Sequence, residues 1–308
     1  MLIETCISNL IEMAKKNDEI VVLDAELAQS TGTYKFQEKF ADRFINVGIA
    51  EQNLIGVAAG LAIAGMKPYV TGFAVFSILR AYEQIRQLIS FNNLDIKILV
   101  THSGLRASHD GASHQCFEDI ALMSVLPNFT IISPASSGEI VEGLQYLQTI
   151  KGPGIMRICD ENYEADFNVF FSEHQNLTSS KIFEGEKDIC MVTTGTILRE
   201  VIKAKDSLNI MNIYPSILYI SVLKPLNRKE ILNILKEYKR IYVIEEHSII
   251  GGLGSLICEM CQFCSETPPI KRIGINDMFG QSGDYEKLLD YYGLSAGKIE
   301  NYVLADIK

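Results

Sequence analysis

The sequence contains no apolar run of the roughly 18 to 20 residues that a bilayer-spanning helix needs. Its start, MLIETCISNL, lacks the basic stretch, hydrophobic run and cleavage site of an export signal. Membrane association is therefore not expected, and the reading is cytoplasmic. Basic charge is also short: 28 Lys and Arg stand against 38 Asp and Glu, a formal charge of -10. A chain without a broad cationic face has no general grip on a phosphate backbone, so nucleic acid is not an expected partner. The 7 cysteines are odd in number and scattered, which does not make a disulfide framework and fits a reducing compartment. No repeat of fixed period and no low-complexity tract occurs, so solenoid architectures are excluded.

What is present is material for a large core. Hydrophobic residues make up 47% and charged residues 21%, with a mean hydropathy of +0.13, which is globular rather than disordered. At 308 residues, two domains or one large α/β unit are expected. Short runs rich in Val, Ile and Tyr alternate with helix-length stretches: EIVVLDA, RFINVGI, KPYVTGF, DIKILVTH, FTIISP and GIMRICD. They are apolar at consecutive positions, as strands covered on both faces of a parallel sheet are. After Asp160 the pattern becomes irregular, and a second series follows in DICMVTTGT, ILYISVLKP, RIYVIEE and IKRIGIN. The fold class is α/β with two domains, a first over 1–165, a linker at 166–185 and a second over 186–308, each with a mainly parallel sheet. Gly56, Gly60 and Gly65 mark a place for close helix packing or a subunit contact.

Four groups of residues could carry chemistry. Glu51 stands among Val47, Ile49, Ala50, Leu54, Ile55 and Val57. Burial disfavours a charged carboxylate, so a lone acid there could hold a proton at neutral pH; the competing reading is a helix N-terminal Glu facing the dipole. His102, His109 and His114, with Asp110, follow the strand IKILV. That places them beyond a strand's carboxyl end, where open α/β sheets bind ligands, and imidazoles suit hydroxyl recognition and proton movement. Metal ligation and a plain surface loop are the alternatives, but the spacing completes no evident ligand set. Phe73, Phe76 and Tyr82 read as core filling or as part of a ligand wall. Cys258, Cys261 and Cys264 have a metal-like spacing without a nearby fourth ligand.

The order RFINVGIAEQN, KPYVTGFAVF, THSGLRASHDGASHQ, IISPAS, VLKPL and EEHSIIGGLGS resembles the C-terminal half of thiamine-diphosphate enzymes of the transketolase type. It is also similar to the matching part of 1-deoxyxylulose-5-phosphate synthase and, more loosely, to beta subunits of 2-oxo acid dehydrogenases. The resemblance runs from Asp24 to the end of the chain, and the DG-x-SHQ element is its most specific piece. It implies a pyrimidine-binding domain followed by the family's C-terminal domain. Glu51 then matches the glutamate that hydrogen-bonds a ring nitrogen of the cofactor's aminopyrimidine, and Phe73 and Phe76 match the aromatics around that ring. Leu79 stands where a third aromatic is common. His102, Asp110 and His114 match contacts to the sugar hydroxyls, and His109 occupies a position that is usually acidic. The phosphate-gripping arginine falls on Asp160, a carboxylate that repels a dianion, with Arg157 three residues earlier as the available substitute. An unphosphorylated or nucleotide-activated sugar thus becomes admissible beside a sugar phosphate.

One element that the resemblance requires is missing. The diphosphate and its Mg²⁺ are held in such enzymes by a Gly-Asp-Gly start and a later Asn, and this chain has only the Gly-Asp of SGDYEKL near its end. The resemblance therefore implies a partner subunit carrying that motif, self-association, and a heterotetramer with thiamine diphosphate at the interfaces. The activity implied is transfer of a two-carbon ketol unit from a ketose to an aldehyde. Another thiamine-diphosphate carboligation, such as acyl transfer derived from pyruvate, is the nearest alternative, and a non-catalytic regulatory subunit of the same fold is the third. A dehydrogenase-type function would require a lipoyl-domain partner.

Overall fold

The computed structural model describes residues 2–159, 180–262, 264 and 267–307. Asp160 and residues 166–179 of the expected linker lie outside them. Twelve strands among the described residues build two sheets: β1 (Ile20–Asp24), β2 (Phe44–Asn46), β3 (Lys67–Phe73), β4 (Lys97–Thr101), β5 (Thr130–Ile132), β6 (Gly154–Arg157), β7 (Ser180–Phe183), β8 (Glu186–Thr193), β9 (Pro215–Ile220), β10 (Val222–Lys224), β11 (Arg240–Ser248) and β12 (Ile270–Ile275). The first sheet runs β10-β5-β6-β4-β3-β1-β2 and the second β12-β11-β8-β9-β7. Every pairing is parallel except β10 with β5 and β7 with β9, the edge strands of the two sheets. The central strands β1, β4 and β6 are buried along their whole length, which is why the sequence shows unbroken apolar runs there rather than alternation.

Two details depart from the sequence reading. Part of the expected linker is structured, because Ser180–Phe183 form an edge strand of the second sheet, antiparallel to β9. The single run ILYISVLKP also splits at Ser221: β9 belongs to the second sheet, whereas β10 crosses over and closes the edge of the first. Ser221 sits at the crossing and its carbonyl accepts the Ser133 amide at 2.7 Å. A run of hydrophobic residues reports burial but not which sheet it joins.

One of the buried clusters spans both units. A continuous buried cluster runs from Leu54, Val70 and Ile98 of the first to Leu218, Leu223, Val243 and Leu253 of the second. A polar tie crosses the same boundary. Glu139, in the first turn of the Ser137–Thr149 helix, is fully buried and accepts the Ala135 amide at 2.7 Å and the Tyr219 hydroxyl of β9 at 2.8 Å. Burial pushes its carboxyl up to about 7 from 4.5. With the folded value above the unfolded one, this group's stabilising contribution is complete below pH 4.5 and is lost as pH rises through about 7. Glu139→Gln keeps an uncharged acceptor for both donors. Relative to the native chain it is expected to gain on the order of 2–3 kcal/mol between about pH 5 and about pH 8. Unfolding measured at both pH values tests this, and parallel behaviour of the two proteins contradicts it.

The expected close packing at Gly56 and Gly60 is not formed within the chain. Both lie on the Glu51–Ile63 helix, and a Cβ added at either would meet nothing within 4 Å.

Candidate active site

All strands of the first sheet except β10 run the same way, so the loops after β2, β3 and β4 open on one edge. Two of the buried acids there, Asp24 and Glu51, have different surroundings. Asp24, at the end of β1, is committed to structure: it accepts Thr31, Thr33 and Thr71 hydroxyls at 3.0 to 3.1 Å and the Leu27 amide. Glu51 is different. It follows the turn after β2, opens the Glu51–Ile63 helix and is 3% exposed.

The register of the sheet brings the aromatic and imidazole groups together. Phe73 ends β3 directly opposite Thr101, the end of β4, and His102 is the next residue. The Phe73 and His102 rings stack with centroids 3.7 Å apart. Phe76 lies on the π-helical turn Val75–Arg80, a widened winding that recurs at functional sites, and stacks on Phe73 at 5.9 Å. His114 returns from the far end of the loop to meet the Phe76 edge at 5.2 Å and Phe73 at 6.4 Å. Each imidazole is oriented by its neighbour in sequence: His102 Nδ1 lies 2.8 Å from the Thr101 hydroxyl and His114 Nδ1 lies 2.9 Å from that of Ser113.

Glu51 joins this cluster through a residue that the sequence did not single out. The Arg80 guanidinium is 3.2 and 3.3 Å from the two Glu51 oxygens and stands over the Phe76 ring at 5.3 Å. The expectation of an unpartnered acid in an apolar enclosure is thus corrected on two counts: Arg80 is its ion-pair partner, and Ile49 is 78% exposed. Arg80 comes 29 residues after Glu51, and no local periodicity links them.

Five of the anticipated residues, Glu51, Phe73, Phe76, His102 and His114, therefore converge. Others do not. His109 and Asp110 are exposed on the short turn Ser108–Asp110, and neither side chain enters the ring cluster. Arg157 is buried at the end of β6, its Nε 2.6 Å from Asp119 Oδ2 and its Nη1 3.2 Å from the Ser133 hydroxyl. Burial alone would raise Asp119 and lower Arg157, but their mutual attraction wins, holding the acid below and the guanidinium above its ordinary value. Arg157 is thus engaged in a buried ion pair. Leu79 is half-buried against the core, and Tyr82 donates its hydroxyl to the Leu122 carbonyl at 2.8 Å, a packing role. His247 is a further buried imidazole, fully enclosed and pushed down to about 4 by burial. Its Nδ1 donates to the Ser248 carbonyl at 2.7 Å and its Nε2 accepts the Ala121 amide at 3.4 Å, the pattern of a neutral ring.

Residues 4–166 match the family described as transketolase, pyrimidine binding domain, and residues 180–299 match that described as transketolase, C-terminal domain. The chain belongs to the transketolase family. It is 36% identical over 299 residues to a putative transketolase C-terminal section of Methanocaldococcus jannaschii, covering 97% of this chain and 94% of that one. It is 31% identical over 300 residues to the 1-deoxy-D-xylulose-5-phosphate synthase of Caldanaerobacter subterraneus, where it spans 97% of its own length but 48% of the synthase. Among solved structures it is similar to a split gene transketolase described as an inactive beta4 tetramer, with a TM-score of 0.85, 36% identity and coverage of 98% and 96% of the two chains. The ring cluster lies wholly in the first matched domain, whereas the second supplies contacts to the loop behind it.

The cofactor of this transketolase-family fold can be tested against the residues present. An aromatic wall with a buried carboxylate beside it fits the aminopyrimidine end of thiamine diphosphate. Among the described residues no group of three His, Cys, Asp or Glu is arranged to hold a metal ion. The Gly-Asp near the end is spoken for, since Asp284 caps the Tyr285–Tyr291 helix by accepting the Glu286 amide at 3.2 Å. Of the three spaced cysteines, Cys261 is buried, Cys258 half-buried and Cys264 exposed.

Proposed function

We propose that this chain is the C-terminal subunit of a two-chain, thiamine-diphosphate-dependent enzyme that transfers a two-carbon ketol unit from a ketose to an aldehyde. The reading rests on one observation: Glu51, Phe73, Phe76, His102 and His114 meet at one sheet edge, while among the described residues no group of three His, Cys, Asp or Glu is arranged to hold a metal ion. A partner resembling the N-terminal half of a transketolase, with a Gly-Asp-Gly motif, supplies the donors for the diphosphate and its Mg²⁺, and two copies of each chain make the active assembly. Thiamine diphosphate, when bound, supplies the electron sink for carbanion chemistry.

The chain's own residues do the rest. Phe73 and Phe76 offer an apolar face that excludes water and fixes a ring plane. Glu51 gives a hydrogen bond to a ring nitrogen at the buried end, and Arg80, 53% exposed, is free to trade that carboxylate for solvent. His102 and His114, fixed at Nδ1 by Thr101 and Ser113, receive sugar hydroxyls and move protons between them and the reacting carbon centre. His109 and Asp110 stand at the rim, where they meet the outer hydroxyls of a substrate.

The test is to mix the chain with a Gly-Asp-Gly subunit and assay ketol transfer from xylulose 5-phosphate. The similarity to a 1-deoxy-D-xylulose-5-phosphate synthase supports a second reading, carboligation from pyruvate; pyruvate consumption with xylulose 5-phosphate inert selects it. Titrated alone, the chain is expected to bind thiamine diphosphate weakly whether or not Mg²⁺ is present. Tight, Mg²⁺-dependent heat of binding by the single chain would remove the need for a partner.

A further inference from the structure

The loop bearing the histidines is gripped from behind by the second unit. Glu246, near the end of β11, is 7% exposed and reaches across the domain boundary, where its Oε1 accepts the Leu105 amide at 2.7 Å. Its Oε2 accepts the Tyr285 hydroxyl at 2.7 Å, and Arg106 lies over the Tyr285 ring at 3.8 Å. Three residues before Leu105, His102 has a φ of +57°, a left-handed backbone that a non-glycine residue holds only where its surroundings fix it. Between them Gly104 has a φ of +66°, and a Cβ there would lie 2.5 Å from Glu246 Oε1, so the carboxylate packs directly on the backbone of the turn.

Gly104 also closes the loop. Its amide donates to the Cys116 carbonyl at 2.7 Å and its carbonyl accepts the Cys116 amide at 3.3 Å. His102 lies two residues before Gly104, and His114 two residues before Cys116. Whatever fixes Gly104 therefore fixes both imidazoles relative to Phe73. We propose that Glu246, steadied by the Tyr285 hydroxyl, is a positioning residue for His102 and His114. This rests on the role proposed above for those histidines and gives the second unit a part in the reaction geometry. A pair of acids ending the apolar strand RIYVIEE is the only trace of it in the sequence; the first, Glu245, accepts the Leu253 and Gly254 amides at 2.6 and 2.9 Å and so caps the helix that follows.

Tyr285→Phe removes one hydroxyl and little volume. In the full-length chain labelled at its 5 histidines, the ring resonances of His102 and His114 are expected to move, because the His102 ring sits 3.7 Å from the Phe73 centroid and feels its ring current. In the two-chain enzyme kcat should fall roughly ten- to hundredfold with KM changed by about twofold at most, as misplacement of reacting groups does. Tyr242→Phe is the matched control: that hydroxyl, on the same strand as Glu246, donates to Asp306 of the Ala296–Ile307 helix at 2.6 Å, and its loss should move neither histidine. Glu246→Gln, which keeps an oxygen for the Leu105 amide and offers an NH₂ to the phenol, should restore most of what Glu246→Ala loses. A folded Tyr285→Phe chain with both resonances at their native positions overturns the proposal, whether or not Glu246→Ala folds. If the native pair of subunits transfers no ketol unit, the functional reading fails, and the resonances of the single chain still decide the positioning.

Discussion

Glu51→Ala is expected to cost the two-chain enzyme about 10²- to 10⁴-fold in kcat, the range over which a positioned proton-transfer group contributes, with little loss of stability. The two halves of this expectation have separate causes. Glu51 is 3% exposed and is tied to Phe76 through Arg80, whose guanidinium meets both the carboxylate and the ring. Its ion-pair partner Arg80, however, is 53% exposed. Deleting a buried carboxylate is severe when it strands a buried cation, but Arg80 only has to turn into water, and exposed partners are worth little. Glu51→Gln keeps the shape and a hydrogen-bonding amide but no exchangeable acid proton, so it should fall between native and alanine. Steady-state kinetics with paired unfolding curves check both halves. Native-like activity in a folded Glu51→Ala complex would leave only a regulatory or structural subunit.

The first unit was more legible in sequence than the second, for a physical reason. Its ring cluster, the proposed site, lies just past the ends of buried parallel strands, and such strands announce themselves as unbroken apolar runs. Reading where KPYVTGF and DIKILVTH stop therefore located Phe73 and His102, and the strand register joins them. Sequence distance hid the rest. Arg80 meets Glu51 across 29 positions, and Glu246 meets Leu105 across 141, through side-chain geometry that no period encodes. The histidine loop was legible as a loop but not in its orientation: the Ser108–Asp110 turn faces His109 and Asp110 outward, while the Gly104–Cys116 bridge brings His114 back to the rings. Arg157, at the end of a strand, reads in sequence as a possible anion grip, and its buried counter-charge, Asp119, lies 38 positions away where no local pattern shows it.

That pair carries the second large effect. Arg157 and Asp119 are 7% and 1% exposed, so Arg157→Met leaves a carboxylate buried and deprived of the cation that holds it ionised. His247, its other neighbour at 3.8 Å, is neutral and offers no replacement charge. Breaking a buried pair from one side costs about 3–5 kcal/mol, because the surviving charge keeps its desolvation penalty and loses its compensation. Arg157→Met and Asp119→Leu should each fall in that range, and the double variant should be more stable than either, since neither charge of the pair is then left without its partner. Urea unfolding of the four proteins gives the coupling directly; single variants within about 1 kcal/mol of native would show that water reaches the pair. The double variant also separates stability from geometry. Asp119 begins the helix that follows the histidine loop, and Arg157 lies beside β4, from which that loop departs. An apolar pair can refill the space but cannot fix the distance between strand and helix as a 2.6 Å charged contact does, so stability should return further than ketol transfer.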